Sequence, residues 1–144
     1  MSHHCEAALI TCEDFRLHQR KDGRNYVRDF ILGHKVDCDI ITRGGGIQDL
    51  VRPKNGGFKE CLMRDFNVST QLHKCKQIFL INHQDCGAYS GARFSTKAEE
   101  IERHLMDLKK AKGILIEEFK GVEVITYYAF LVNGTSDHFY IEEV

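Results

Sequence analysis

His83 and Cys86 stand three positions apart in Ile78-Phe79-Leu80-Ile81-Asn82-His83-Gln84-Asp85-Cys86-Gly87, where an apolar run gives way to polar residues. An imidazole and a thiol on one tight turn can share a single Zn²⁺ at bond lengths of about 2.0–2.3 Å. Two donors are too few for zinc, so a distant segment has to bring more. Cys12-Glu13-Asp14-Phe15-Arg16, which follows a second short apolar run, is suited to that. If it leaves its strand extended, Cys12, Asp14 and Arg16 point to one side. Cys12, His83 and Cys86 then make a Cys₂His set, catalytic when water fills the fourth position and structural when a protein group does. Asp14 is the candidate for that group. Arg16 is placed to hold the Asp14 carboxylate in a bidentate ion pair, which decides whether it faces the metal or turns away.

The elements that must position these residues follow from periodicity. Residues 7–11, 38–42 and 77–82 are short apolar runs of the kind that make buried parallel strands. Residues 122–130 are β-branched and aromatic and make a fourth strand, and Asn133-Gly134 is turn chemistry leading into an antiparallel edge strand over 138–144. Helical spacing is partial over 16–32, where Lys21-Asp22-Gly23-Arg24 interrupts it, and recurs from Phe58 toward Leu72. Thr96-Lys97-Ala98-Glu99 is a capping box opening a long amphipathic helix that ends near Gly121. The alternation predicts an α/β fold, a mostly parallel sheet of about four strands plus an antiparallel C-terminal edge strand, with helices on both faces. In such sheets ligands bind beyond the carboxyl ends of the strands. There the sequence puts Cys12-x-Asp14-x-Arg16, Arg43-Gly44-Gly45-Gly46 and His83-x-x-Cys86, with Gly45 and Gly46 as candidates for receiving a substrate or anion.

The chain has 144 residues, with 20 basic against 21 acidic side chains and a formal net charge of -1. That length predicts one domain over 1–144, able to bury roughly two thirds of its unfolded surface. The balanced charge gives no reason to expect nucleic acid or an anionic membrane as a partner. No apolar run approaches a membrane span, and the first six residues lack a secretory signal, so a cytoplasmic location is expected. Six cysteines in a chain with an ordinary core read as reduced thiols. Cys5, Cys38, Cys61 and Cys75 are expected as small buried hydrophobes, although His3, His4 and Cys5 could hold a second metal. Asp85 is expected in an Asx turn or helix cap, with support of the metal ligands as the alternative, and His18, His34, His73, His104 and His138 as surface or core filling.

The two motifs, C-x-D-x-R at 12–16 and H-x-x-C-G at 83–87, resemble those of the β-class carbonic anhydrases, in the same order and on equivalent strands. The resemblance implies zinc held by Cys12, His83 and Cys86, and reversible hydration of CO₂ to bicarbonate. It also implies that Asp14 accepts a hydrogen bond from the nucleophile and that Arg16 orients Asp14. A homodimer or higher homo-oligomer is expected with it. Two other outcomes stay open: a non-catalytic zinc domain closed by Asp14, and a hydrolase for another small heterocumulene such as carbonyl sulfide or carbon disulfide.

Overall fold

The computed structural model describes residues 3–89 and 93–144; the first two of the six residues read for a secretory signal lie outside these. Five strands form one sheet in the order β2-β1-β3-β4-β5. Strand β1 (Ala7–Thr11) pairs in parallel with β2 (Cys38–Thr42) on one side and with β3 (Gln77–His83) on the other. β3 pairs in parallel with β4 (Glu123–Leu131), and β4 runs antiparallel to β5 (Phe139–Glu143). Every residue of β1 is buried, as a strand covered on both faces requires.

Alternation along β1 and β3 sorts the core into two layers. Ala8, Ile10, Ile78 and Leu80 pack with α2 (Gln48–Val51), α3 (Gly56–Asn67) and α4 (Lys97–Glu118). Leu9, Phe79, Ile81 and Ala129 face the other way, with Val27 of α1 (Tyr26–His34) and with Leu17. Helices therefore cover both faces of the sheet. Thr96 caps α4 through its Oγ1, which accepts from the Glu99 amide at 3.1 Å. The Glu99 carboxylate reaches back one residue further than a capping box demands, taking the Ser95 amide at 2.8 Å.

Several elements differ from the periodic reading. The helix expected over 16–32 is a 3₁₀ turn, Phe15–Leu17, then a loop, then α1, because Asn25 caps α1 by accepting from the Arg28 amide at 2.8 Å. The second helix stops at Asn67 and passes into a π turn, Val68–Leu72. The four-residue α2 after the glycine loop has too few residues to show a period. Asn133 and Gly134 do sit at the β4–β5 turn, where the Thr135 amide reaches the Val132 carbonyl at 3.0 Å, inside a connection longer than a two-residue hairpin.

Candidate metal centre

From β1 the chain crosses to β2 on one side, and the crossover after β2 passes back over β1 to β3 on the other, so the crevice at the carboxyl ends of β1 and β3 is the topological switch point. Cys12 is the first residue beyond β1, and His83 is the last of β3 rather than a turn residue. One ligand atom from each of Cys12, His83 and Cys86 lies within 4.8 Å of the other two, and all three residues are buried. Asp85, at φ 58°, turns the chain so that Cys86 comes back to this point.

The two sulfurs are 3.8 Å apart. Two bonds of about 2.3 Å at a tetrahedral angle end about 3.8 Å apart, so one ion fits between them. His83 Nδ1 lies 2.9 Å from the Gln84 carbonyl, to which it can only donate, leaving the lone pair on Nε2. His83 Nε2 is fully buried and has no hydrogen-bond partner among the described residues. A buried acceptor left unpaired in a native fold calls for a ligand. The hydrogen bond that Cys86 donates to Cys12, with burial, raises the Cys86 thiol, and the same hydrogen bond lowers the Cys12 thiol well below its usual value. A dication would displace the proton between them.

Asp14 and Arg16 meet as the spacing predicts, although the chain turns at Phe15 instead of remaining extended. Arg16 Nε donates to Asp14 Oδ1 at 3.0 Å and Nη2 to Asp14 Oδ2 at 2.7 Å, while the Arg16 amide donates to Oδ1 at 2.9 Å. Burial opposes ionisation of Asp14, but these bonds outweigh it and hold the carboxyl below its ordinary range. Asp14 Oδ2 lies 3.9 Å from His83 Nε2 yet stays outside the three-donor cluster.

Other residues complete the surroundings. Asp85 takes the alternative role rather than a cap among the described residues: its Oδ2 accepts from Arg16 Nη1 at 3.0 Å, and its carbonyl accepts from Nη2 at 2.8 Å. The Ser136 carbonyl takes the other Nη1 hydrogen at 2.9 Å, and Phe139 lies under the guanidinium at 5.5 Å. The Gly45 amide donates to Cys12 Sγ at 3.4 Å and the Gly46 amide to the Arg43 carbonyl at 2.9 Å. Expected to receive an anion, both amides are turned to internal partners, and Gly45 supports the Cys12 thiolate. Behind β3, Asn82 Nδ2 donates to Tyr89 Oη at 3.0 Å and to His104 Nδ1 at 2.9 Å. Only the apolar context of α4 hinted at His104, which is fully buried. The exposed Cys61 corrects the expectation of a buried thiol; it lies on the outer side of α3.

A mostly parallel sheet of this order, carrying a Cys₂His cluster and an aspartate–arginine pair at its switch point, defines a β-carbonic-anhydrase-like candidate metal protein. Residues 2–138 match the family described as "Putative carbonic anhydrase", and the chain belongs to that family. An uncharacterized protein of Rickettsia bellii is 33% identical over 123 residues, covering 83% of this chain and 73% of its own. One from Rickettsia conorii is 29% identical over 123 residues, and the chain spans 64% of its length. Among solved structures, a tetrameric β-carbonic anhydrase of Sordaria macrospora superposes with a TM-score of 0.64 at 16% identity, over 99% of this chain and 82% of that one. The Streptococcus mutans carbonic anhydrase gives 0.60 at 16% identity, over 99% and 83%. At that identity the likeness is one of fold.

Proposed function

We propose that this chain catalyses zinc-dependent reversible hydration of CO₂ to bicarbonate, with Cys12, His83 and Cys86 holding the ion. The observation that carries this reading is the placement of Asp14. Arg16 keeps its carboxylate out of the donor cluster, so among the described residues three protein donors gather and a fourth position is left for water, which supports a catalytic site. When bound, zinc would supply Lewis acidity that lowers the pKa of a water and makes it nucleophilic, less strongly beside two thiolates than beside three neutral histidines. The chain's own residues do the rest. The Gly45 amide stabilises the Cys12 sulfur, and the Gln84 carbonyl fixes the His83 tautomer. Asp14 Oδ2, ionised and facing His83 Nε2, is the acceptor that can orient or take a proton at the open position. Arg16 positions Asp14 without touching the reacting atoms.

The reading takes residues 1–144 as one zinc domain in the cytoplasm, where free thiols persist. Among the described residues no helix is long and apolar enough to cross a membrane. A partly exposed apolar strip on α4, with Ala98 and Met106 exposed and Ile101 and Leu105 half-buried, supports assembly as a homodimer or larger homo-oligomer.

The test combines metal analysis with stopped-flow CO₂ hydration. Wild type is expected to hold one zinc per chain and to turn over. Asp14→Asn is expected to keep the zinc and lose about 10²-fold or more in kcat. Wild-type turnover in Asp14→Asn would defeat the assignment. A zinc-loaded wild type that is inert toward CO₂, carbonyl sulfide and carbon disulfide would instead select the non-catalytic domain closed by Asp14.

A further inference from the structure

A second sulfur cluster lies at the opposite end of the sheet. Cys5 precedes β1 and Cys75 precedes β3. The parallel register pairs Ala7 with Gln77 and Ala8 with Ile78, so carried back two residues it sets Cys5 beside Cys75. Parallel neighbours run about 4.8 Å apart, inside the Cα separation of about 4.4–6.8 Å that a disulfide spans. The backbone fixes this approach: the Cys5 amide donates to the His73 carbonyl at 3.1 Å, and the Lys76 amide to the Glu6 carbonyl at 3.0 Å. Both thiols turn toward the Ala7 carbonyl at 3.3 Å, and their sulfurs are 2.6 Å apart.

Asp39 also brings a carboxylate oxygen within 4.8 Å of both sulfurs, which raises the alternative of a metal site. The spacing argues against it. Sulfurs 2.6 Å apart would subtend only about 70° at an ion bonded at about 2.3 Å, far from tetrahedral, whereas the Cys12–Cys86 separation of 3.8 Å suits one. The Asp39 carboxylate is moreover engaged by His73 Nδ1 at 2.7 Å.

We propose that Cys5 and Cys75 are a thiol–disulfide modification site that links the segment before β1 to the start of β3. The oxidant is a low-molecular-weight disulfide. Cys5, half-buried, is the sulfur that such a molecule can reach, whereas Cys75 is buried. The Cys5 thiolate attacks one sulfur of the oxidant, whose S–S bond breaks and releases one thiol. The Cys75 thiolate then attacks the Cys5 sulfur, expelling the second thiol. Two protein thiols are oxidised, one small disulfide is reduced, and the two protons leave on the released thiols. Burial holds the Cys75 thiol high.

The test incubates the protein as purified with oxidised glutathione, alkylates residual thiols after denaturation and maps the peptides by mass spectrometry. A Cys5–Cys75 linked peptide is expected, reversed by dithiothreitol, lost in Cys5→Ser and retained in Cys61→Ser. Exposed Cys61 reports that the oxidant has reacted. Glutathione on Cys61 while Cys5 and Cys75 both remain alkylatable would overturn the proposal. So would a second equivalent of zinc bound by wild type and lost in Cys5→Ser, which would make the cluster a metal site.

Discussion

Arg16 has five N–H groups, and each has an acceptor among Asp14, Asp85 and Ser136. A lysine there would keep the charge but offer three hydrogens from one point, so it could not serve all of them. Arg16→Lys is therefore expected to retain zinc while lowering kcat about tenfold or more, through a loosened Asp14. Zinc content and stopped-flow rates on one preparation check this, and an unchanged kcat would show that the network does not matter. Cys12, Asp14, Arg16, His83 and Cys86 were legible in the sequence because each motif is local. Asp85 was legible only as an alternative, and Ser136 and Phe139 not at all, because they join Arg16 across 69, 120 and more residues. Cys61 misled because residue type stands for burial only on average.

Among the elements, the glycine loop carries the sharpest constraint. Gly46 sits at φ 56°, and a Cβ there would come 2.9 Å from Asn82 Oδ1 and 3.5 Å from the Cys12 amide nitrogen. Gly46→Ala is expected to destabilise the fold by about 1–3 kcal/mol, since neither the buried asparagine nor the backbone can yield freely. Gly113, in the body of α4 with nothing near its absent side chain, provides the contrast. Gly113→Ala is expected to stabilise by about 0.5–1 kcal/mol. Urea unfolding of both variants measures the two effects, and equal shifts would refute the steric account. Thr96 announced α4 in the sequence because a capping side chain acts within one turn. Asn25 caps α1 just as locally, but the partial helical spacing that begins at Arg16 masked that start, and the π turn has no side-chain cap to announce it.

For the molecule as a whole, the alternation of strands and helices foretold a parallel sheet but not the order of its strands, which rests on pairing between distant segments. The same long-range packing buries His104. Asn82 Nδ2 donates to its Nδ1, so the proton sits on Nε2 and the ring is neutral. Burial above all, with His83 and Arg52 nearby, brings its pKa down from 6.5 to about 3. Between these values the unfolded chain binds a proton that the folded chain does not, so stability declines as pH falls from about 6.5 toward 3, at up to about 1.4 kcal/mol per pH unit. His104→Asn, which keeps an acceptor toward Asn82, is expected to lose less stability between pH 7 and pH 5 than wild type. Unfolding free energies at the two pH values decide it, and identical losses would exclude His104 as a source.

Ser136 belongs to the β4–β5 connection, yet its carbonyl closes the ring of acceptors around Arg16. Arg20 and Arg24 bind Asp137 in that same connection. The segment that follows β1 is thus laced to the far margin of the sheet, across the mouth of the crevice. Drift in the length or sequence of this distant hairpin would be transmitted to a carboxylate that it never touches, so relatives with identical motifs could differ in turnover through a surface turn alone.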